Sequence, residues 1–166
     1  ALALARAAES PQLELEILRF LIVTDRRKGD AQHAVARAEQ ALLDAQQRGD
    51  RFHEAHFLHC LAESHVQLGD MALASEYASG ALELSERLGT QRLKTQLLVT
   101  SANIEHLSRR YESALERYAE AIVAAQAVGD RELVALATTF AAFARYEAGR
   151  GPAARVQMRD GLALLE

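Results

Sequence analysis

The segment RFHEAHFLHC carries histidines at every third position, the spacing in this chain best suited to metal chemistry. On a helix His56, His59 and Glu63 share one face, so two imidazoles and a carboxylate could converge on zinc. His106 could add a ligand from another helix. The HExxH pattern of zinc proteases is absent, because Phe57 stands where its second histidine would be. We expect an exposed polar face that titrates near pH 6.5, and a metal site is the alternative.

The single cysteine, Cys60, is the only candidate thiol nucleophile. It lies between Leu58 and Leu61, and the adjacent His59 would point about 100° away on a helix, so we interpret Cys60 as a core residue. One cysteine also excludes an internal disulfide. Because the phosphate-binding GxxxxGK[ST] and GxGxxG patterns and the GxSxG elbow are all absent, we expect no enzymatic activity and no cofactor.

Charge and hydropathy exclude two classes of partner. The 166 residues carry a net charge of −4 with no dominant basic stripe, so we expect no nucleic-acid binding. The longest apolar run near the start is Phe20–Val23, far too short to span a membrane. The start ALALARAAES lacks the features of a signal peptide. The chain begins without Met and ends within a helical pattern, so we expect it to be a segment of a longer protein.

Glycines divide the chain at a regular interval. They stand at positions 29, 49, 69, 89, 129 and 149, a constant step that Arg109 alone interrupts. Most are followed by Asp or Thr, so each pair can close one helix and cap the next. The breaks predict helices at 1–8, 12–28, 31–48, 51–68, 71–88, 91–108, 111–128, 131–148 and 152–165. Short connections make successive helices antiparallel.

Side-chain size repeats at twice the glycine interval. The small columns are Ala34, Ala74, Ala114 and Ala154, then Ala41, Ala81, Ala121 and Gly161, and also Ala62, Ala102 and Ala142. A large column is Leu42, Leu82, Ile122 and Leu162. Small residues let two helices approach closely, and a large residue fills the adjoining hole. The columns therefore indicate identical helical hairpins nested along one axis.

One hairpin carries Leu58-x-x-Leu61-Ala62, then Gly69-Asp70-Met71, Ala74, Ala78 and Ala81-Leu82, and the next carries Tyr111, Ala114, Tyr118 and Ala121. Through these residues the chain resembles the tetratricopeptide repeat family over about residues 12–165, in the 40-residue variety of bacterial regulators. The resemblance implies an all-α, right-handed superhelical solenoid of about four hairpins. It implies one domain over 1–166, with a partial leading helix at 1–10 and repeats at 11–49, 50–89, 90–129 and 130–166.

The resemblance also implies that the first helix of each hairpin lines a concave, partner-binding face. The candidate residues are Arg19, Arg26, Arg27, His56, His59, Glu63, Gln96, Asn103, His106, Phe143 and Tyr146, and the same rows contain Glu16, Leu136 and Thr139. The arginines could clamp a carboxylate, and the two aromatic residues could hold an apolar side chain. A peptide with an acidic end and an apolar end would suit this face.

The resemblance implies a scaffold that binds a protein or peptide, as the sensory or regulatory module of a cytoplasmic bacterial signalling or transcription-regulating protein. A second hypothesis is self-association, in which the terminal helices pair with another copy through Val156, Met158, Leu162 and Leu165. The third is metal binding at the histidine face.

Overall fold

The computed structural model describes residues 10–149 together with Arg159. Within residues 10–149 the helices are α1 (Pro11–Arg27), α2 (Ala31–Gln47), α3 (Arg51–Leu68), α4 (Met71–Leu88), α5 (Gln91–Leu107), α6 (Tyr111–Ala127) and α7 (Arg131–Glu147). Connections of two or three residues join them. Between residues 10 and 149 the helix bounds agree with those predicted from the glycine spacing to within one residue. The predicted helices at 1–8 and 152–165, and with them Ala154, Val156, Met158, Gly161, Leu162 and Leu165, lie outside the described residues.

The turns are built as the glycine and aspartate pairs predict. Gly69 ends α3 in the left-handed conformation at φ 82°, where a side chain would be strained. The next residue, Asp70, accepts a hydrogen bond from the backbone N–H of Leu73 at 3.1 Å and so caps α4. Three other aspartates make the same cap, namely Asp30, Asp50 and Asp130. Each cap fixes the residue at which a helix begins.

The turn before α6 keeps this geometry without a glycine. Arg109 has φ 60°, the only positive φ at a non-glycine residue in the described chain. A left-handed L-residue costs roughly 1–2 kcal/mol. Arg110 occupies the capping position without a side-chain cap bond to α6, and its guanidinium instead binds Glu105 on α5. The ion pair to Glu105 therefore ties this turn to the preceding helix, whereas at four other turns an aspartate caps the following helix.

Burial repeats with the same period as side-chain size. Residues 41–50, 81–90 and 121–130 show an identical order of buried, half-buried and exposed positions. Within it Ala41, Ala81 and Ala121 are buried, and the large residue that follows each of them is half-buried. The columns at Ala34, Ala74 and Ala114 and at Ala62, Ala102 and Ala142 are also fully buried. The alanines thus lie where helices pack, as the columns predict.

The chain divides into two compact units, residues 1–89 and 90–166. In the first unit α1 contacts α2, α2 contacts α3, α3 contacts α4, and α1 also contacts α3. Its core joins Leu15 and Ile22 of α1, the alanines of α2, and Phe57, Cys60 and Leu61 of α3. In the second unit α5, α6 and α7 contact one another. In each unit the first helices of successive hairpins, α1 and α3 or α5 and α7, therefore lie against each other. The second helices, such as α2 and α6, contribute small residues to the core.

Two single residues show how α3 and α4 pack. Cys60 is buried in the core, and burial raises the pKa of its thiol to about 12, so its assignment to the core is confirmed. Gly80, inside α4, leaves room for a small side chain. A Cβ added there would lie 3.9 Å from the Leu58 side chain, an ordinary van der Waals distance. Among the described helices, none has the length and apolar character needed to cross a bilayer.

Candidate partner-binding faces

The first candidate face lies where α1 and α3 run against each other in the first unit. It comprises Arg19, Arg26, Arg27, His56, His59 and Glu63 and is called the first face below. Arg26 Nη2 lies 2.8 Å from Glu63 Oε2, and both side chains are about three-quarters buried. This ion pair joins the two helices and holds the Arg26 guanidinium in place. Arg27, the next residue along the chain, is exposed and makes no ion pair with any described residue.

Glu16 organises the other end of the first face. Arg19 Nη2 donates to Glu16 Oε2 at 2.8 Å, and this bond keeps the pKa of the Glu16 carboxyl below its usual range. The other oxygen, Oε1, lies 3.4 Å from Nε2 of the buried His53, whose Nδ1 is 2.8 Å from Asp50 Oδ2. His53 was not among the residues predicted for the face. The sequence contained a signal for it: the charged pairs Glu16–His53 and Arg26–Glu63 are both separated by 37 residues, so one register of α1 against α3 brings both pairs together.

The histidines do not form the exposed, freely titrating surface that the sequence suggested. His53 and His59 are buried, and His56 is half-buried with its ring 4.6 Å from that of Phe52. Burial lowers the pKa of His59, and burial together with the Arg19 charge lowers the pKa of His56 to about 4. The expectation was wrong because α3 lies between α2 and α4 and also contacts α1. Few of its positions therefore reach solvent.

The alternative metal site at His56, His59 and Glu63 is not formed. Glu63 is engaged by Arg26 at 2.8 Å, and its other oxygen lies 4.0 Å from His59 Nε2, so the carboxylate is held by a guanidinium and not presented to a metal ion. His106, the further ligand considered, pairs with Glu147 instead. Across residues 10–149 no three His, Cys, Asp or Glu side chains are grouped so that they could hold a metal ion.

We expect the depressed pKa of His56 to make stability depend on pH. As pH falls from about 6.5 towards 4, the unfolded chain takes up a proton at this imidazole that the folded chain excludes, so unfolding becomes more favourable. Allowing for solvent screening of a half-buried group, the loss between pH 6.5 and 5 is about 1 kcal/mol. Urea denaturation at these two pH values should show a smaller loss in His56→Gln than in the original chain.

The groups around His56 define the control for this experiment. Arg19 on α1 and His53 and His59 on α3 oppose its protonation, whereas Glu16 on α1 favours it. Arg19→Gln removes the opposing charge on α1, so it should reduce the pH dependence in the same direction and by a smaller amount. Equal pH dependence in the original chain and in His56→Gln would contradict the assignment.

The second candidate face belongs to the second unit and comprises Gln96, Asn103, His106, Phe143 and Tyr146. Two of these residues are held by neighbouring helices. The Tyr118 hydroxyl donates to Asn103 Oδ1, and His106 Nε2 lies 3.1 Å from Glu147 Oε2. Phe143 and Tyr146 are exposed on α7. The second face therefore combines fixed polar groups on α5 with uncovered aromatic rings on α7.

A shallow pocket of about 510 Å³ also lies in the second unit, around the turn before α6. Its lining is Arg109, Arg110, Tyr111, Glu112, Ser113, Glu147 and Ala148. No pocket was predicted there from the sequence. The interrupted glycine series was the signal that this turn differs from the rest.

Comparisons with known proteins support the fold. The chain is similar to the crystal structure of Rap protein complexed with competence and sporulation factor, with 20% identity and a TM-score of 0.83, over 92% of this chain and 43% of that chain. It is also similar to the crystal structure of BtubC (BKLC) from P. vanneervenii, with 23% identity and a TM-score of 0.80, over 99% of this chain and 69% of that chain. The predicted all-α solenoid class is confirmed.

The likeness extends to fold and not to sequence. No family model matches the chain, and no curated protein matches it. The chain spans less than half the length of the Rap chain that it resembles. The ligand in the Rap structure is therefore described for Rap and is not assigned to this chain by the similarity in fold.

Proposed function

We propose that this chain is a scaffold that binds a protein or peptide segment and serves as a regulatory module of tetratricopeptide-like type. The observation that carries the proposal is the Arg26–Glu63 ion pair, which fixes a guanidinium that is about three-quarters buried between α1 and α3. A side chain already held in place loses little conformational entropy when a ligand arrives. The first face therefore has features of a preorganised recognition surface.

The charges of the first face favour an acidic segment. Glu16 and Glu63 are each paired with an arginine, so the exposed Arg27 adds a positive charge that no described acidic residue balances. A guanidinium recognises a carboxylate through two parallel hydrogen bonds. We assign the acidic part of the ligand to the first face. In the second unit, the exposed rings of Phe143 and Tyr146 suit an apolar side chain.

The Rap structure gives this proposal indirect support. Rap was crystallised in complex with competence and sporulation factor, and its fold is similar to that of this chain. We propose by analogy a regulatory role in a bacterial, cytoplasmic protein. The proposal assigns no catalytic step and no nucleic-acid partner to the chain. Its single thiol is buried, and burial also raises the pKa of the Tyr118 hydroxyl.

Selection of peptides against the protein tests the proposal. A random-peptide phage library is panned on the original chain, and the selected peptides are synthesised with a fluorophore for anisotropy titration. We expect enrichment in Asp and Glu, and a loss of about tenfold or more in affinity for Arg26→Glu with Arg27→Glu, equivalent to roughly 1.4 kcal/mol.

A charge reversal elsewhere provides the control. Arg87 on α4 is exposed and lies outside both faces, so Arg87→Glu should leave affinity within about twofold of the original, whereas Arg27→Glu alone should weaken it. Enrichment without acidic residues, or equal affinity for the Arg27→Glu and Arg87→Glu variants, would reject the first face as the acidic site.

A further inference from the structure

Consecutive first helices meet in a defined register. In the first unit, α1 and α3 pair Glu16 with His53 and Arg26 with Glu63, always 37 residues apart. In the second unit, α5 and α7 pair His106 with Glu147, 41 residues apart. We call the side of a first helix that faces the next first helix along the chain its trailing side, and the side that faces the preceding first helix its leading side. In each pair the earlier helix makes the contact through its trailing side and the later helix through its leading side. The sequence repeat allows equivalent positions to be identified on the first and last described first helices.

The leading side of α1 is apolar and uncovered. Leu13 is 48% exposed, although the residues one, two and three repeats later, His53, Leu93 and Leu133, are all buried. Phe20 is 64% exposed, whereas the equivalent Cys60 and Thr100 are buried and Phe140 is half-buried. The side of α3 that carries His53 faces α1. Helix α1 thus exposes the positions through which the later first helix in the first unit contacts its predecessor.

The trailing side of α7 is apolar and uncovered as well. Leu136 is 44% exposed, Phe143 46% and Tyr146 60%. Their equivalents three repeats earlier are Glu16, Val23 and Arg26, which are half-buried on α1. Glu16 and Arg26 form the ion pairs with α3, and Val23 packs on the core that contains Phe57. The exposed residues of α7 therefore occupy positions at which α1 receives a following helix.

We propose that two copies of this chain stack end to end, with the trailing side of α7 in one copy against the leading side of α1 in the next. Continuity with the α1–α3 contact is the argument. In this stack α7 takes the place of α1, and α1 of the second copy takes the place of α3. With the register of the α1–α3 contact, Leu136 lies opposite Leu13 of the second copy, Phe143 opposite Phe20 and Tyr146 opposite Val23. Each exposed apolar residue on α7 meets an apolar residue on α1.

The register of the second unit adds one contact to this interface. The separation of His106 and Glu147 along the chain places Tyr146 opposite Arg27 of the second copy. A guanidinium over a tyrosine ring is a favourable cation–π pair. The register therefore also gives Arg27, which is unpaired among the described residues, an aromatic partner.

The contact joins unlike surfaces, so its symmetry is defined. A head-to-tail interface leaves one α1 and one α7 open in every dimer, so it either grows or closes into a ring. One helix face per copy is small for a protein interface, and we expect weak, reversible association. The stacking contact uses Arg27, Phe143 and Tyr146, which the proposed function assigns to a ligand, so a bound peptide and a second copy of the chain would compete for these residues.

Complementation between two blocked variants tests the proposal. Sedimentation velocity of the original chain should show a mass that rises with concentration above that of one chain. Phe20→Glu removes the leading side and Phe143→Glu the trailing side, so each variant alone should remain monomeric. An equimolar mixture retains one intact side on each variant, and should form a one-to-one dimer that does not grow further.

An exposed valine supplies the matched control. Val123, on α6, is 66% exposed and lies on neither surface, so Val123→Glu should associate as the original chain does. Thermal unfolding monitored by circular dichroism checks folding, and the milder pair Phe20→Ser and Phe143→Ser repeats the test with uncharged residues. A monomeric original chain, a mixture that stays monomeric, or association of either blocked variant alone would overturn the proposal. Acidic-peptide binding is measured separately, by anisotropy titration at protein concentrations at which the chain is monomeric, so that either proposal can fail without the other.

Discussion

Replacing Ala74 with Trp is expected to lower the free energy of unfolding by about 3 kcal/mol. Ala74 is fully buried in α4, in the same column as Ala34 and Ala114. An indole ring there would force helices apart along a seam that small side chains keep close, and close-packed neighbours leave no space for it. Urea denaturation measures the loss, which corresponds to a midpoint of thermal unfolding lower by roughly 10 °C.

The same substitution two positions earlier separates burial from helix propensity. Ala72 lies in the same helix but is exposed, so Ala72→Trp should change the free energy of unfolding by less than about 0.7 kcal/mol. Similar losses at positions 72 and 74 would show that the alanine column does not mark a helix–helix contact.

Truncation of Tyr118 to Ala is the second large effect, with an expected loss of about 4 kcal/mol. Tyr118 is fully buried in a cluster formed by Ala102 of α5, Ala114 of α6, and Ala141 and Ala144 of α7. The buried neighbours are alanines, which have no longer side chain that could turn into the vacated volume, and Leu115 and Phe140 pack against the cluster from its partly buried edge. We expect these two side chains to fill the cavity only in part, so the loss lies within the upper part of the range for aromatic truncations.

Tyr118→Phe separates the ring from its hydroxyl. This variant keeps the packing and removes only the hydrogen bond to Asn103 Oδ1, so we expect a loss of about 1 kcal/mol. Because Asn103 is half-buried, water can replace part of that bond. Chemical denaturation of both variants provides the comparison. If the Phe variant were as destabilised as the Ala variant, the hydrogen bond and not the packing would dominate at this position.

The fold was predictable because its determinants are local and repeated. Gly69 ends one helix and Asp70 caps the next within a single turn. A left-handed residue is required at each of the other turns as well, and glycine supplies it at all of them except Arg109. The columns that contain Ala62 and Ala74 needed only a comparison of positions one repeat apart. Arg109 shows the limit of the glycine signal, because the turn kept a left-handed residue after the glycine was replaced. The left-handed backbone conformation therefore recurs at every turn, although the glycine that indicates it in the sequence does not.

The candidate faces were predictable only in part. The first-helix rows correctly brought Arg26 and Glu63 onto one surface, but the sequence did not indicate that they pair with each other. The burial of His53 and His59 was missed because polar residues were assigned to solvent. On a helix with several neighbours, an imidazole can instead lie between packed helices: His53 Nδ1 lies 2.8 Å from its cap residue Asp50, and Nε2 lies 3.4 Å from Glu16 on another helix. Such partners are known only after the helices are assembled.

The pattern of helix contacts has a consequence for how the chain reaches its structure. Within each unit, the helices that contact each other lie only one or two places apart along the chain, and the connecting turns are short. Most contacts can therefore form without closing a long loop, which makes the entropic barrier small and the search rapid. Folding can start at any hairpin and spread to its neighbours, so no single region has to act as an obligatory nucleus.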